Sequence, residues 1–351
     1  MENDLLKGRG AQINPHNPYH SQRLVQDHVE GIDEEILLDK PSTSYFLETP
    51  KTVLSKNTSP DLALTYSVNP YQGCEHGCTY CYARNSHQYW GFDAGLDFET
   101  KIMVKPKVAQ QLSMTFSQKA YKPMPIMLSG NTDCYQPAER KFRLTREILQ
   151  VMLDFRHPVS VITKNSLIAR DQDILEALAK ENLVHVYFSI NSMNEELRRN
   201  MEPRTASALK KIQLIREFTA AGIPVGIMIA PLIPSLNSHE IPSIMKEAAA
   251  AGAQEAGYTV VRLNGTIAEV FENWLREKYP ARADKVLNQI KELHDGQLND
   301  SEWGRRMKGK GAIATEINSL FHLMKHKFMA GRSMPAYDMS KFRRGGNYQL
   351  F

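Results

Sequence analysis

The 351-residue sequence has no apolar run approaching the eighteen or so residues of a membrane-spanning helix, which argues against a membrane protein. Its opening, MENDLLKGRGA, lacks the apolar stretch of a secretory signal, so the expectation is a cytoplasmic protein with reduced thiols. Cysteine is scarce, four in all. A structural disulfide is disfavoured, because three of the four stand too close in sequence to bond without strain. Net charge is only +4 and predicts little about partners. No repeat at solenoid spacing is present. What is there is globular: 42% apolar against 23% charged residues supplies a core for one large or two ordinary domains.

Charge is spread unevenly. Residues 1–40 carry four Lys/Arg against eight Asp/Glu, whereas residues 303–351 carry ten Lys/Arg against Glu316 and Asp338. Most such runs are solvated faces, but a basic C-terminal region of this kind also suits contact with nucleic acid through counterion release.

Three cysteines fall within eight residues, Cys74-Glu75-His76-Gly77-Cys78-Thr79-Tyr80-Cys81, entered from Asn69-Pro70-Tyr71-Gln72-Gly73. A tight loop of soft thiolates, with a glycine to let the backbone turn, wraps a metal centre. On a cubane iron–sulfur cluster three ligands leave one position open for a substrate or cofactor. Two other readings stay open. A nucleic-acid-binding module with structural zinc would need a fourth ligand from His76, His87 or Cys134. An electron-transfer iron–sulfur protein would use the loop without catalysis.

Around this loop the chain alternates β-rich runs with helical patterns, as in a parallel sheet with crossover helices. Leu62–Val68 ends at Asn69-Pro70 as a strand delivering the loop would. Further strands are expected at Ile126–Ser129, Val159–Thr163, Val184–Ile190, Val225–Ala230 and Tyr258–Val261. Apolar spacing predicts helices on Leu144, Ile148, Met152 and Phe155, on Ile174, Leu175 and Leu178, and on Leu209, Ile212, Ile215 and Phe218. Asp171 and Thr205 suit N-caps, Asn194 is an alternative cap, Gly222 suits a helix stop and Pro242 a first turn. Beyond Leu263, helices are expected at Ala268–Tyr279, Val286–His294 and Ala312–His326, with Trp274 and Trp303 packing this extension on the sheet. The only apolar knot near the N-terminus is Glu34–Leu38; Leu350–Phe351 reads as a docked end. Gly309-Lys310-Gly311 follows no strand and is not a dinucleotide site.

The cysteine spacing, with aromatic Tyr80 before the last cysteine, resembles the signature loop of the radical S-adenosyl-L-methionine (SAM) superfamily. Cys81-Tyr82-Ala83-Arg84 is similar to the branch related to spore photoproduct lyase. Gly8-Arg9-Gly10-Ala11 together with Ser129-Gly130-Asn131-Thr132-Asp133-Cys134-Tyr135-Gln136-Pro137 resembles a narrower subfamily of that branch.

The resemblance implies an α/β fold, a partial (β/α)6 radical SAM barrel over residues 60–265. An N-terminal wrapping segment, 1–59, and a helical C-terminal extension with a basic tail, 266–351, complete the expected division. It implies a 4Fe-4S cluster on Cys74, Cys78 and Cys81, with SAM on the unique iron. An external low-potential reductant then drives reductive cleavage to a 5'-deoxyadenosyl radical that takes hydrogen from a substrate. Ser129, Gly130, Asn131 and Thr132 would hold SAM's amino group and Lys164 its carboxylate. Ser189 and Asn191 would suit ribose hydroxyls or that carboxylate, and Tyr80 also joins the cofactor site. Cys134, with Tyr135, is a candidate hydrogen donor. The branch's own donor cysteine registers at Gly130, which weakens DNA-lesion repair as the expected reaction.

Overall fold

The computed structural model describes residues 6–19, 42–62 and 64–346. The apolar knot at Glu34–Leu38 and the terminal Leu350–Phe351 lie outside the described residues. Ten strands are present among the described residues: β1 (Ser44–Leu47), β2 (Leu54–Lys56), β3 (Tyr66–Val68), β4 (Tyr71–Gln72), β5 (Lys101–Val104), β6 (Ile126–Leu128), β7 (Val159–Thr163), β8 (Val184–Ser189), β9 (Val225–Leu232) and β10 (Glu255–Val260).

Seven of them form one sheet in the order β10-β9-β8-β7-β6-β3-β2. From β3 to β10 every neighbouring pair is parallel, and β2 alone runs antiparallel at the β3 edge. All six expected strands are therefore present in this sheet, and the fold is the α/β radical SAM type. Valine and isoleucine dominate β7 to β9 because crossover helices cover the sheet, and one such helix, Leu144–Asp154, buries Leu144, Ile148 and Met152. A second small sheet, β1-β5-β4, had no counterpart in the sequence reading. Its strands are two to four residues long, too short for alternation to register.

Several local expectations need correction. Helix Ala208–Ala220 leaves Leu209 exposed and buries Lys211 instead, so its inward stripe runs Ala208, Lys211, Ile212, Ile215, Phe218. Its N-cap is Ser207, whose hydroxyl accepts from the Lys210 amide at 3.2 Å, and not Thr205. Asp171 stands at a cap position, yet its carboxylate takes Arg146, Arg170 and Tyr135. Asn194 caps Glu195–Met201, accepting from two amides at 3.0 and 3.1 Å. Trp274 is buried against Phe271 and Tyr279. Trp303 is instead half-exposed beneath Arg306, 3.9 Å from its ring.

The extension does two jobs. Its helices are Ile267–Lys278, Pro280–Leu293 and Gly311–Met329. The loop between the last two runs beside β10, with the Val260 amide on the Met307 carbonyl at 3.0 Å. It then reaches Asp61, just ahead of β3, through the Gly304 amide and the Arg306 guanidinium, each at 2.6 Å. The two sides of the open sheet are thus tied together.

After Met329 the chain crosses the amino ends of the strands. The Pro335 carbonyl meets His185 at 2.8 Å and Tyr337 stacks on the same ring at 4.0 Å. The Tyr337 hydroxyl donates to the Val159 carbonyl, and Phe342 packs on Phe116 and His157. Most cations of the basic tail are consumed here: Arg305, Arg306, Lys310, Lys325 and Lys341 are in ion pairs, while Arg332 and Arg344 sit on backbone carbonyls. Among the described residues, no helix is long and apolar enough to cross a membrane.

Candidate active site

The cysteine loop leaves β4 at the carboxyl end of β3 and is set by two glycines in left-handed conformations, Gly73 at φ +78° and Gly77 at φ +69°. Three groups hold its shape. The Arg84 side chain is wholly buried and donates to the carbonyls of Cys78, Ala94 and Gly95 and to the Glu99 carboxylate at 2.6 Å. Glu99 also accepts from the amides of Gly10 and Ala11, at 3.2 and 2.8 Å. Gly10 is so close that a β-carbon there would stand 1.7 Å from the Gly77 carbonyl oxygen. The Gly8–Ala11 motif is thus a strap over the cysteine loop, and glycine at position 10 is what lets two backbones touch.

The second motif, Ser129–Pro137, braces the loop from β6. Asn131 donates its amide to Asn69 and its carboxamide to Ser86, and the Thr132 hydroxyl donates to the Tyr71 carbonyl at 2.6 Å. Gln136 grips both sides of Cys74, donating to the Gly73 carbonyl and accepting from the Glu75 amide. Asp133 accepts from Thr163 and from the Lys164 amide at 2.8 Å each, and lies 3.4 Å from His76. A β-carbon on Gly130 would lie 2.6 Å from Ser67, so a cysteine at this position has no room without rearrangement.

Lys164 ends β7 half-buried, and among the described residues its ammonium has neither hydrogen bond nor ion pair. It lies near enough to His76, Cys78 and Lys211 to act on their charge. Beyond β8, Asn191 is buried with its carboxamide oxygen unpartnered, while its nitrogen faces the Tyr80 hydroxyl at 3.4 Å. Tyr80 in turn donates to buried Glu202. The Ser189 hydroxyl is spent on the Ala230 carbonyl at 3.3 Å, and its own carbonyl accepts from Lys211 at 2.9 Å. Burial draws both members of the Glu202–Lys211 pair, 3.9 Å apart, toward neutrality, Glu202 rising to about 7 and Lys211 falling to about 8.

Sequence reasoning missed Arg84, Glu99 and Lys211 as parts of this centre, whereas Glu202, in Glu202-Pro203-Arg204, was readable as part of a charged pair near the ligand or as a loop-fixing residue. Of the three missed, Lys211 alone left a signal, a cation on the apolar stripe of its helix; the others become partners only through the fold. Cys134 and Tyr135 are fully buried. Cys134 sits in the main apolar core, and Tyr135 donates to Asp171 at 3.1 Å.

The donor set fits an iron–sulfur cluster. Cys74, Cys78 and Cys81 are free thiols on one loop and influence one another's charge. Burial first, and nearby acidic groups second, push Cys74 and Cys78 above the ordinary thiol range, so metal must displace their protons. A single zinc fits less well. Among the described residues no three His, Cys, Asp or Glu stand at the spacing of one ion. His76 is engaged by Asp133 and Asn165, His87 is enclosed by Phe92 and Phe98, and Cys134 lies in the core. A cubane places its iron corners apart and asks only for separated thiols.

Residues 68–248, just over half the chain, match the family model of the Radical SAM superfamily. The chain belongs to that superfamily and is an enzyme of radical chemistry, whose membership implies SAM and an iron–sulfur cluster. An uncharacterized protein of Mycobacterium tuberculosis is 32% identical over 235 residues, 66% of this chain and 68% of that one. A Pseudomonas phage M6 protein named a radical SAM Nalpha-GlyT isomerase is 21% identical over 63% of this chain and 46% of its own length. Spore photoproduct lyase complexed with dinucleoside spore photoproduct aligns with a TM-score of 0.61 at 17% identity over 86% of each chain, a likeness of fold.

Proposed function

We propose that Cys74, Cys78 and Cys81 hold a 4Fe-4S cluster and that SAM binds beside it across the carboxyl ends of β6 to β8. When bound and reduced by an external low-potential donor, these cofactors supply a carbon radical that abstracts hydrogen from the substrate. The observation that carries this reading is the Lys164 ammonium, unpaired among the described residues, beside a loop of three free thiols. A half-buried cation without a partner calls for an anion, and the methionine carboxylate supplies one. Around it Ser129–Thr132 offer backbone and side-chain oxygens to the amino group, and the orphaned Asn191 oxygen suits a hydroxyl-bearing ribose, which Ser189 and Tyr80 would join only by exchanging their bonds to Ala230 and Glu202. The enclosing strap and brace keep Cys74 and Cys78 buried and leave Cys81 partly accessible. We divide the chain accordingly into a wrapping segment (1–59), the barrel (60–265) and the extension (266–351).

Anaerobic reconstitution should give about four iron and four sulfide per chain, and SAM with dithionite should then yield 5'-deoxyadenosine. Full metal loading without cleavage rejects the proposal. Cys134, with Tyr135, would act as hydrogen donor only after its burial is relieved; Cys134→Ala should raise uncoupled products, and unaltered turnover dismisses that role. A nucleic-acid substrate held through residues 303–351 rests on charge alone, and most of that charge is engaged internally. Salt-sensitive oligonucleotide binding by the full chain is its test.

A further inference from the structure

The last parallel strand, β10, ends at Val260, and the turn beyond it carries Arg262, half-buried. Its guanidinium makes one hydrogen bond, to the Asp300 carbonyl at 3.4 Å, and no ion pair among the described residues. The carboxylates close enough to act on it are already taken. Asp61 accepts from Arg306 and the Gly304 amide at 2.6 Å each, and Asp300 accepts from Arg305 at 2.5 Å and the Glu302 amide at 2.8 Å. Arg306 adds a like charge nearby, and burial and that neighbour both lower the Arg262 pKa. A planar fork of five N–H donors is therefore held in a partly dry site with most of its bonds unmade.

Other polar groups stand around it. Tyr82 acts on Arg262, keeps half its surface accessible, and bonds the Gly130 carbonyl at 2.7 Å, which joins this corner to the Ser129–Pro137 motif. Two residues beyond Arg262, the Asn264 carboxamide oxygen is buried without a partner among the described residues. In the sheet, β10 lies three places from β7, which carries Lys164, so the two cations do not serve one anion by strand position.

We propose that Arg262 is the substrate's anion subsite, binding a carboxylate or phosphate group and, with Tyr82 and Asn264, holding the substrate at the β10 side of the sheet's carboxyl ends. The assignment rests on the proposed reading only in taking those ends as the reaction site.

The test is calorimetric titration of the full chain, without SAM or reductant, with pyrophosphate and separately with citrate. At least one should bind saturably; pyrophosphate alone indicates a phosphate substrate, citrate alone a carboxylate. Arg262→Gln should weaken that binding about tenfold or more, and Arg262→Lys should restore part of it. The melting temperature of both variants, and the SAM affinity of reconstituted Arg262→Gln, should be unchanged. Absence of saturable binding by either probe, or equal binding by Arg262→Gln, overturns the subsite. Loss of SAM affinity in Arg262→Gln reassigns the residue to the cofactor and overturns it as well. Because no radical chemistry enters the titration, the subsite and the SAM-cleavage reading fail separately.

Discussion

The two ends of the parallel sheet are built on opposite principles. At the amino ends, the segment after Met329 lays aromatic rings on aromatic rings and completes bonds left open by strands and turns: the amides of Asp338 and Arg343 donate to the carbonyls of Asn182 and Phe155, and the Tyr337 hydroxyl to that of Val159. At the carboxyl ends lie a lysine and an arginine with no ion pair among the described residues, a buried carboxamide oxygen with no donor among them, and a buried glutamate–lysine pair drawn toward neutrality. Unmade bonds cost stability, and a ligand can complete them. The segment after Met329 ties the amino ends together; on the proposed reading the carboxyl ends receive the cofactor.

Removing a thiol should separate the two ends most sharply. Cys78→Ala should lower 5'-deoxyadenosine formation by about a thousandfold or more and cut iron content, with the apo-protein's melting temperature nearly unchanged. Retained cleavage would mean that the loop is not the metal site. Acid should cost stability at both ends, since His76 and His87 by the cysteine loop are held near 4 by burial as well; at the amino end His157 carries most of the effect. His157, stacked on Phe116 at 4.3 Å and bonded to Tyr121, has its pKa lowered by burial to about 4. A lowered histidine contributes stability that is complete above the unfolded value near 6.5 and is lost as pH falls toward 4. The loss should reach roughly 3 kcal/mol across that window and should shrink in His157→Phe, as urea unfolding at several pH values would show.

Lys164→Met should weaken SAM binding by about ten- to a hundredfold in the reconstituted protein, with folding stability held or slightly raised, since it removes an unpaired half-buried charge. Equal affinity would break the proposed pairing. The smallest effect belongs to the belt: Tyr337→Ala should cost about 1–2 kcal/mol of stability, measured by denaturation, and leave SAM affinity unchanged. A change in SAM affinity there would show that the ends are coupled.

Much of the barrel was legible because its signals are local. Val159–Thr163 is β-branched at every position but Ser160 and coincides with β7, and the three-cysteine spacing announces itself without a fold. The small sheet was not legible, since two to four residues hold no period. Nor was the partnership of Arg84 with Glu99 or of Tyr80 with Glu202, because nothing in one partner's neighbourhood names the other. The internal partners of the basic tail were illegible for the same reason: a run of cations shows its charge but not the carboxylates and carbonyls that most of them meet.

By itself the sequence determined the chemistry on offer, three soft ligands in one tight turn and an alternation of strand and helix that must place that turn at a strand's carboxyl end. Tertiary structure alone decided which polar groups are satisfied and which are left waiting. Satisfaction depends on distances between residues far apart in the chain, Arg306 to Asp61 or Gly10 to Gly77, and those distances exist only once the apolar core has fixed the backbone.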